Sequence, residues 1–202
     1  MRSLFVLILI AALWVGAALA RPNGTYSIEI DLQEQMAHLV EDGYVVLSSP
    51  ISSGRAGYET TRGTFKITQK ERNHVSTLYG RMVDARGRTL IADAHADLPV
   101  PRGGRYVPAS MPYFLRYNGS EGMHAGILRG SPASHGCVRL PEENAIAFFH
   151  AVEIGTPVNV FGRTPRGRVR QRDYLGDQQQ QRRMPRIDRQ VINPYAARDW
   201  WR

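Results

Sequence analysis

Cysteine is all but absent from this chain: Cys137 is the single thiol in 202 residues. That excludes an intramolecular disulfide and any metal site built from several thiolates. Acidic residues are the minority sign, 18 Asp and Glu against 26 Lys and Arg, which leaves a formal charge of +8. The excess is unevenly spread. From Arg163 onwards the chain holds eleven Arg and four Asp, so +7 of that charge falls in the tail and the body is close to neutral. Long apolar runs are missing after residue 20. The one before it, Leu4 to Ala18, is marginally short for a span of about 20 residues. It follows Met1-Arg2-Ser3 and ends on Ala18-Leu19-Ala20, the pattern of a secretory signal peptide over 1–20, with cleavage expected after Ala20. The alternative is an uncleaved anchor. No cysteine follows the run, which argues against lipid attachment there. Either reading places the rest of the chain outside the cytoplasm, in the periplasm or cell envelope. A lone thiol exported to an oxidising compartment is a liability unless it is used.

With disulfides and thiolate clusters excluded, Cys137 is either a buried inert thiol or a nucleophile. It lies in Ser134-His135-Gly136-Cys137-Val138-Arg139, with Gly122-Met123-His124-Ala125-Gly126 upstream. Taken singly, a Cys or a His is most often structural. This density of reactive types, however, has no packing rationale. A thiol attacks as thiolate, and a histidine that takes its proton is the usual activator. His135, two residues before Cys137, would point to the same side of a strand. His124 lies on the preceding apolar segment, and its imidazole reaches the sulfur if the two segments pair. It is the favoured general base and later acid. Gly136 lets the backbone take unusual dihedrals and lets substrate approach closely. The N–H groups of Gly136 and Cys137, with that of His135, can then converge on an oxyanion. Arg139, two residues past the nucleophile, suits bidentate capture of a carboxylate or braces the loop. Ser134, Tyr113 and Met123 complete the expected substrate surface, although an aromatic stripe on a strand is more often core. The pattern reads as acyl transfer on a carboxylate-bearing peptide. A metal site from His124, His135 and Cys137 lacks a fourth ligand, so no metal or other cofactor is expected.

These residues resemble the signature of the L,D-transpeptidase (YkuD-like) catalytic domain, a His upstream of Ser/Thr-His-Gly-Cys. The resemblance extends to Ser52-Ser53-Gly54 with Glu59-Thr60-Thr61-Arg62-Gly63-Thr64-Phe65, and to Gly155-Thr156-Pro157-Val158-Asn159-Val160 as a closing strand, so it spans Tyr26 to Phe161. It implies that Cys137 is the acylated nucleophile, His124 the acid/base, and the backbone from His135 to Cys137 the oxyanion hole. It further implies that peptidoglycan tetrapeptide stems are the partners, with D-alanine released and the acyl group passed to an amine. Hydrolysis by a carboxypeptidase or endopeptidase, or a noncatalytic wall-binding module, are the alternatives. Two departures stand out. Thr61 replaces a common Pro, which should loosen a turn and leave the chemistry alone, and the segment between His124 and Ser134 is short.

The remaining pattern is that of one mainly β domain over 24–163, a two-sheet sandwich or partly closed barrel with one principal helix. Ser27 to Leu32 alternates with period two, Met36 to Val40 forms a partner, and Tyr44 to Leu47 follows the Asp42-Gly43 turn. Phe65 to Ile67, Arg81 to Ala85 and Met111 to Tyr117 read as further strands, and Asn118-Gly119 as a turn leading back to His124. Asp93 to Met111, with Pro99, Pro101, Pro108 and Gly103-Gly104, reads as exposed irregular chain, a cleft wall or a plain connector. His74 and His95 read as loop-borne surface or supporting residues. Pro141, the acids Glu142 and Glu143, and Ala145, Phe148, Phe149 and Val152 at i, i+3, i+4, i+7 predict a helix that packs on the sheets, with His150 facing solvent. The tail, 164–202, with its Gln178 to Gln181 run, predicts disorder broken by a short docked piece at Trp200-Trp201. Retention on an anionic wall or membrane surface is its functional reading, and nucleic acid is an unsuitable partner for an exported chain.

Overall fold

The structure is a computed structural model that describes residues 25–167. The expected signal peptide and nearly all of the tail, Trp200 and Trp201 included, lie outside the described residues. Tight turns build the first sheet. β1 (Tyr26–Asp31), β2 (Met36–Glu41) and β3 (Tyr44–Pro50) form an antiparallel meander. Asp42 and Gly43 both take positive φ, 50° and 85°, the conformation of the two-residue hairpin turn that matches strand twist. Ile28 and Ile30 alternate inward and are completely buried. β10 (Pro157–Phe161) then inserts between β1 and β4 (Gly63–Lys66), parallel to β1 and antiparallel to β4, giving the order β3-β2-β1-β10-β4.

The second sheet has the order β6-β5-β7-β8-β9. Its long arms are β5 (Gln69–Asp84) and β7 (Gly104–Asn118), flanked by β6 (Thr89–His95), β8 (Glu121–Ala125) and β9 (Val138–Leu140). Much of the stretch from Asp93 to Met111, expected to be irregular, is therefore strand, and only 96–103 lies between strands. His74 and His95 accordingly sit on β5 and β6 rather than in loops. β8 pairs with β7 only over Leu115 to Asn118, so the half of β7 carrying Pro108 and Pro112 has β5 on one side and, among the described residues, no strand on the other. Proline is tolerated on such an edge because no neighbour needs its missing N–H. The β5–β7 register also shifts between Val75 and Gly80, next to Pro108.

α1 (Glu142–Ala151) follows Pro141 directly and packs against β7 and β8. Ala145, Phe148 and Val152 are buried and join the core between the sheets. Phe149 is half-buried, its ring 5.7 Å from that of Tyr113. His150 is exposed as expected. The two sheets are not one closed barrel; an isolated bridge between Ser52 and Arg139 links the segment after β3 to β9 at one corner. The mainly β, two-sheet, one-helix expectation holds.

Candidate active site

β8 and β9 run parallel and in register, Met123 opposite Val138 and His124 opposite Arg139, with Cys137 the last residue before β9. The two segments do pair, and His124, His135, Cys137 and Arg139 line one cleft of about 530 Å³. The long β5–β7 arms supply its far wall through His74, Tyr79, Arg81 and Met111.

The tautomer of His124 follows from its partner. Its Nδ1 lies 2.8 Å from the carbonyl oxygen of Ala125. A carbonyl only accepts, so Nδ1 carries the proton and Nε2 keeps a lone pair. Burial drives its pKa down from 6.5 to about 4; the Ala125 carbonyl pulls upward, and the charges of Arg139 and His74 push further down. Burial also raises the Cys137 thiol, opposed by the Gly122 N–H aimed at the sulfur, raised further by Glu121, and lowered by Arg139 and Arg116. The resting pair is thus a neutral thiol and a neutral imidazole rather than a preformed ion pair. The thiol lies 3.8 Å from the Ser120 carbonyl, to which it donates weakly.

A depressed imidazole has a thermodynamic consequence. Above pH 6.5 it is neutral folded or unfolded and contributes no pH dependence; as pH falls from 6.5 to about 4 the unfolded chain takes up a proton that the native site refuses. The folded state therefore loses on the order of 3 kcal/mol across the window from pH 6.5 to about 4. Urea unfolding at pH 7 and pH 4.5 checks this, and the His124→Gln variant should lack that component of the difference.

The elbow from Ser134 to Cys137 is held by hydroxyls. Gly136 takes φ +111°, a conformation that L side chains rarely adopt. Ser134 Oγ donates to the Cys137 carbonyl and accepts the Gly136 N–H at 3.2 Å. Thr60 Oγ1 donates to the Gly136 carbonyl at 2.7 Å and accepts the Gly54 N–H at 2.9 Å. Two expectations change. The Gly136 N–H is already engaged, so the elbow amides without a partner among the described residues are those of His135 and Cys137. Ser134 lines the cleft, but it is 2% exposed and its hydroxyl is committed to the backbone, so its side chain braces the elbow.

His135 is held in a cage of its own. Its ring stacks on Tyr79 at 4.1 Å and meets Tyr58 edge-on at 4.6 Å. Nε2 lies 3.0 Å from Asp93 Oδ1 and 2.9 Å from an Arg55 nitrogen. Burial lowers its pKa, with Asp93 opposing and Arg55 reinforcing that effect.

Tyr113 and Met123 do not reach the cleft. Both are buried in the core, at 8% and 1% exposure, and Tyr113 packs on Phe149 of α1. Arg139 does reach it, half-buried, its stem lying against Gly126 and its guanidinium without a salt bridge or hydrogen bond among the described residues. Desolvation and the nearby Arg129 lower its pKa. Thr60, Thr61 and Glu121 are the contributors that the motif reading missed. Thr61 does more than loosen a turn: its N–H donates to Glu121 Oε2 at 3.2 Å and its hydroxyl to Oε1 at 2.9 Å. A proline there could make neither bond. No group of histidine, cysteine and carboxylate side chains suited to a metal ion occurs among the described residues.

Residues 25–160 match the family model described as the L,D-transpeptidase catalytic domain. The chain is 32% identical over 123 residues to L,D-transpeptidase 1 of Mycobacterium tuberculosis, covering 60% of this chain and 44% of that protein. A probable L,D-transpeptidase 3 of the same organism is 33% identical over 125 residues, covering 61% and 40%. The chain thus spans less than half the length of the curated relatives it matches. Among solved structures, an L,D-transpeptidase from Stackebrandtia nassauensis superposes with a TM-score of 0.53 at 26% identity, over 71% of this chain and 58% of that one.

Proposed function

Because the chain belongs to the family of L,D-transpeptidase catalytic domains, we propose that it is an exported cysteine L,D-transpeptidase. Its substrates are peptidoglycan tetrapeptide stems, and its product is an amide formed with an amine acceptor. One observation carries this reading: His124, with Nδ1 held by the Ala125 carbonyl and Nε2 left unprotonated, lines the same cleft as the sole thiol, from a strand paired to the thiol's own segment. Nε2 takes the Cys137 proton as sulfur attacks the carbonyl of the L-centre. The oxyanion is met by the free N–H groups of Cys137 and His135, and Gly136 serves as the bend that aims them. His124 then protonates the departing D-alanine amine, which leaves a thioester on Cys137. The acceptor amine attacks that thioester, the C–S bond breaks, and sulfur recovers a proton. Arg139, a half-buried cation with no salt bridge among the described residues, binds a stem carboxylate.

Export through the segment 1–20 puts the thiol in the compartment that holds this substrate. The Arg-rich tail adds retention on an anionic wall or membrane surface. Incubation with a disaccharide-tetrapeptide should shift the intact mass by the mass of that substrate less D-alanine, and Cys137→Ala should abolish the shift. A carbapenem should likewise leave an adduct on Cys137. An unshifted native chain under both conditions would reject the reading.

A further inference from the structure

The cleft has an electrical polarity. Among the described residues, four arginines line it, Arg81, Arg116, Arg129 and Arg139, against one carboxylate, Glu121. That carboxylate stands beside the thiol. The Ser120 carbonyl approaches the sulfur to 3.8 Å and the Gly122 N–H is directed at it, so the residues on both sides of Glu121 touch the nucleophile. A Cβ built on Gly136 would lie 3.3 Å from Glu121 Oε1, which places the carboxylate directly over the elbow. Its position is fixed by Thr61, through N–H and hydroxyl, and by Asn118 Nδ2 at 3.4 Å from Oε2. Those three bonds leave one of about four lone-pair positions, on the Oε1 that faces Gly136.

A negative charge there opposes both a thiolate and an oxyanion, so it does not serve acylation. It does suit a cation arriving at the thioester. We propose that Glu121 is the acceptor subsite: its carboxylate binds the ammonium of the incoming amine beside the thioester and favours transfer to cationic amines over water. This rests on the transpeptidase reading above. The ammonium gives one proton to His124 Nε2 and then attacks the carbonyl carbon. The C–S bond breaks, the sulfur takes a second proton from the same nitrogen, and the proton on His124 passes to solvent.

The test uses the full chain, acylated by a disaccharide-tetrapeptide, with two competing nucleophiles. Ethanolamine is a cation at mildly alkaline pH and hydroxylamine is uncharged there. Mass spectrometry of the products gives their ratio. Glu121→Gln should lower the ethanolamine-to-hydroxylamine ratio about fivefold, the scale of one partly screened ion pair. Glu121→Asp should restore most of the preference. In the native chain, added salt should lower the same ratio while leaving the rate constant for hydroxylamine alone unchanged, a measurement that needs no variant to fold. A ratio that moves neither with salt nor with Glu121→Gln would overturn the proposal. Absence of any acyl-enzyme in the native chain would instead reject the transpeptidase reading on which it rests.

Discussion

His124→Gln is expected to slow acylation of Cys137 by about a thousandfold, within the range removed when a positioned general base is lost. Glutamine fits because its amide can still donate to the Ala125 carbonyl that now holds Nδ1, so the loss is that of the base and not of the scaffold. The pH profile separates the two. In the native chain the base is protonated only below about pH 4, and burial holds the thiol above its ordinary range. Acylation should therefore be flat from about pH 5 to beyond pH 8. In the variant, thiolate arises only by simple ionisation, and the rate should climb about tenfold per pH unit over the same span. Intact-mass time courses at fixed donor concentration measure both, and a variant with a flat profile at native rate would exclude His124 as the base.

Gly136→Ala should be nearly as damaging, by a different route. At φ +111° an alanine is strained by about 1–3 kcal/mol, and its Cβ would press on Glu121 Oε1 at 3.3 Å. The bend cannot relax freely, because Thr60 holds its carbonyl and Ser134 its N–H. The accommodating movement falls on the neighbouring amides of His135 and Cys137. Misdirecting oxyanion donors costs roughly 10²–10³ in rate, so acylation should drop at least a hundredfold while thermal unfolding shifts by only a few degrees. A variant that loses stability but acylates normally would show that these amides do not meet the oxyanion.

Local signals made much of this legible in the sequence. Asp42-Gly43 and Asn118-Gly119 announced two hairpins, and the latter delivers His124 to the cleft on a strand. The spacing of Ala145, Phe148, Phe149 and Val152 announced α1. The long arms were hidden for a physical reason: Pro108, with Pro99, Pro101 and Gly103-Gly104, read as loop, and only the tertiary placement of β8 reveals an edge where proline is harmless. Met123 was misassigned although the strand period held the answer. Adjacent residues on a strand point to opposite faces, so with His124 in the cleft Met123 had to enter the core. Thr60 and Glu121 could not be found from spacing, since Thr60 reaches Gly136 across 76 residues and Thr61 reaches Glu121 across 60.

The placement of β10 also bears on the order in which the molecule can be completed. It lies between β1 and β4, and its Asn159 bonds to Glu29 across 130 positions of sequence. Until residue 161 has left the ribosome or a translocation channel, β1 has no partner on that side and β4 has no neighbour at all in its sheet. Such distant pairing forms late and slowly. The Cys137 sulfur, placed only twenty residues before β10 begins, is thus among the last parts of the two-sheet domain to emerge. It spends little time threaded through a half-assembled polypeptide.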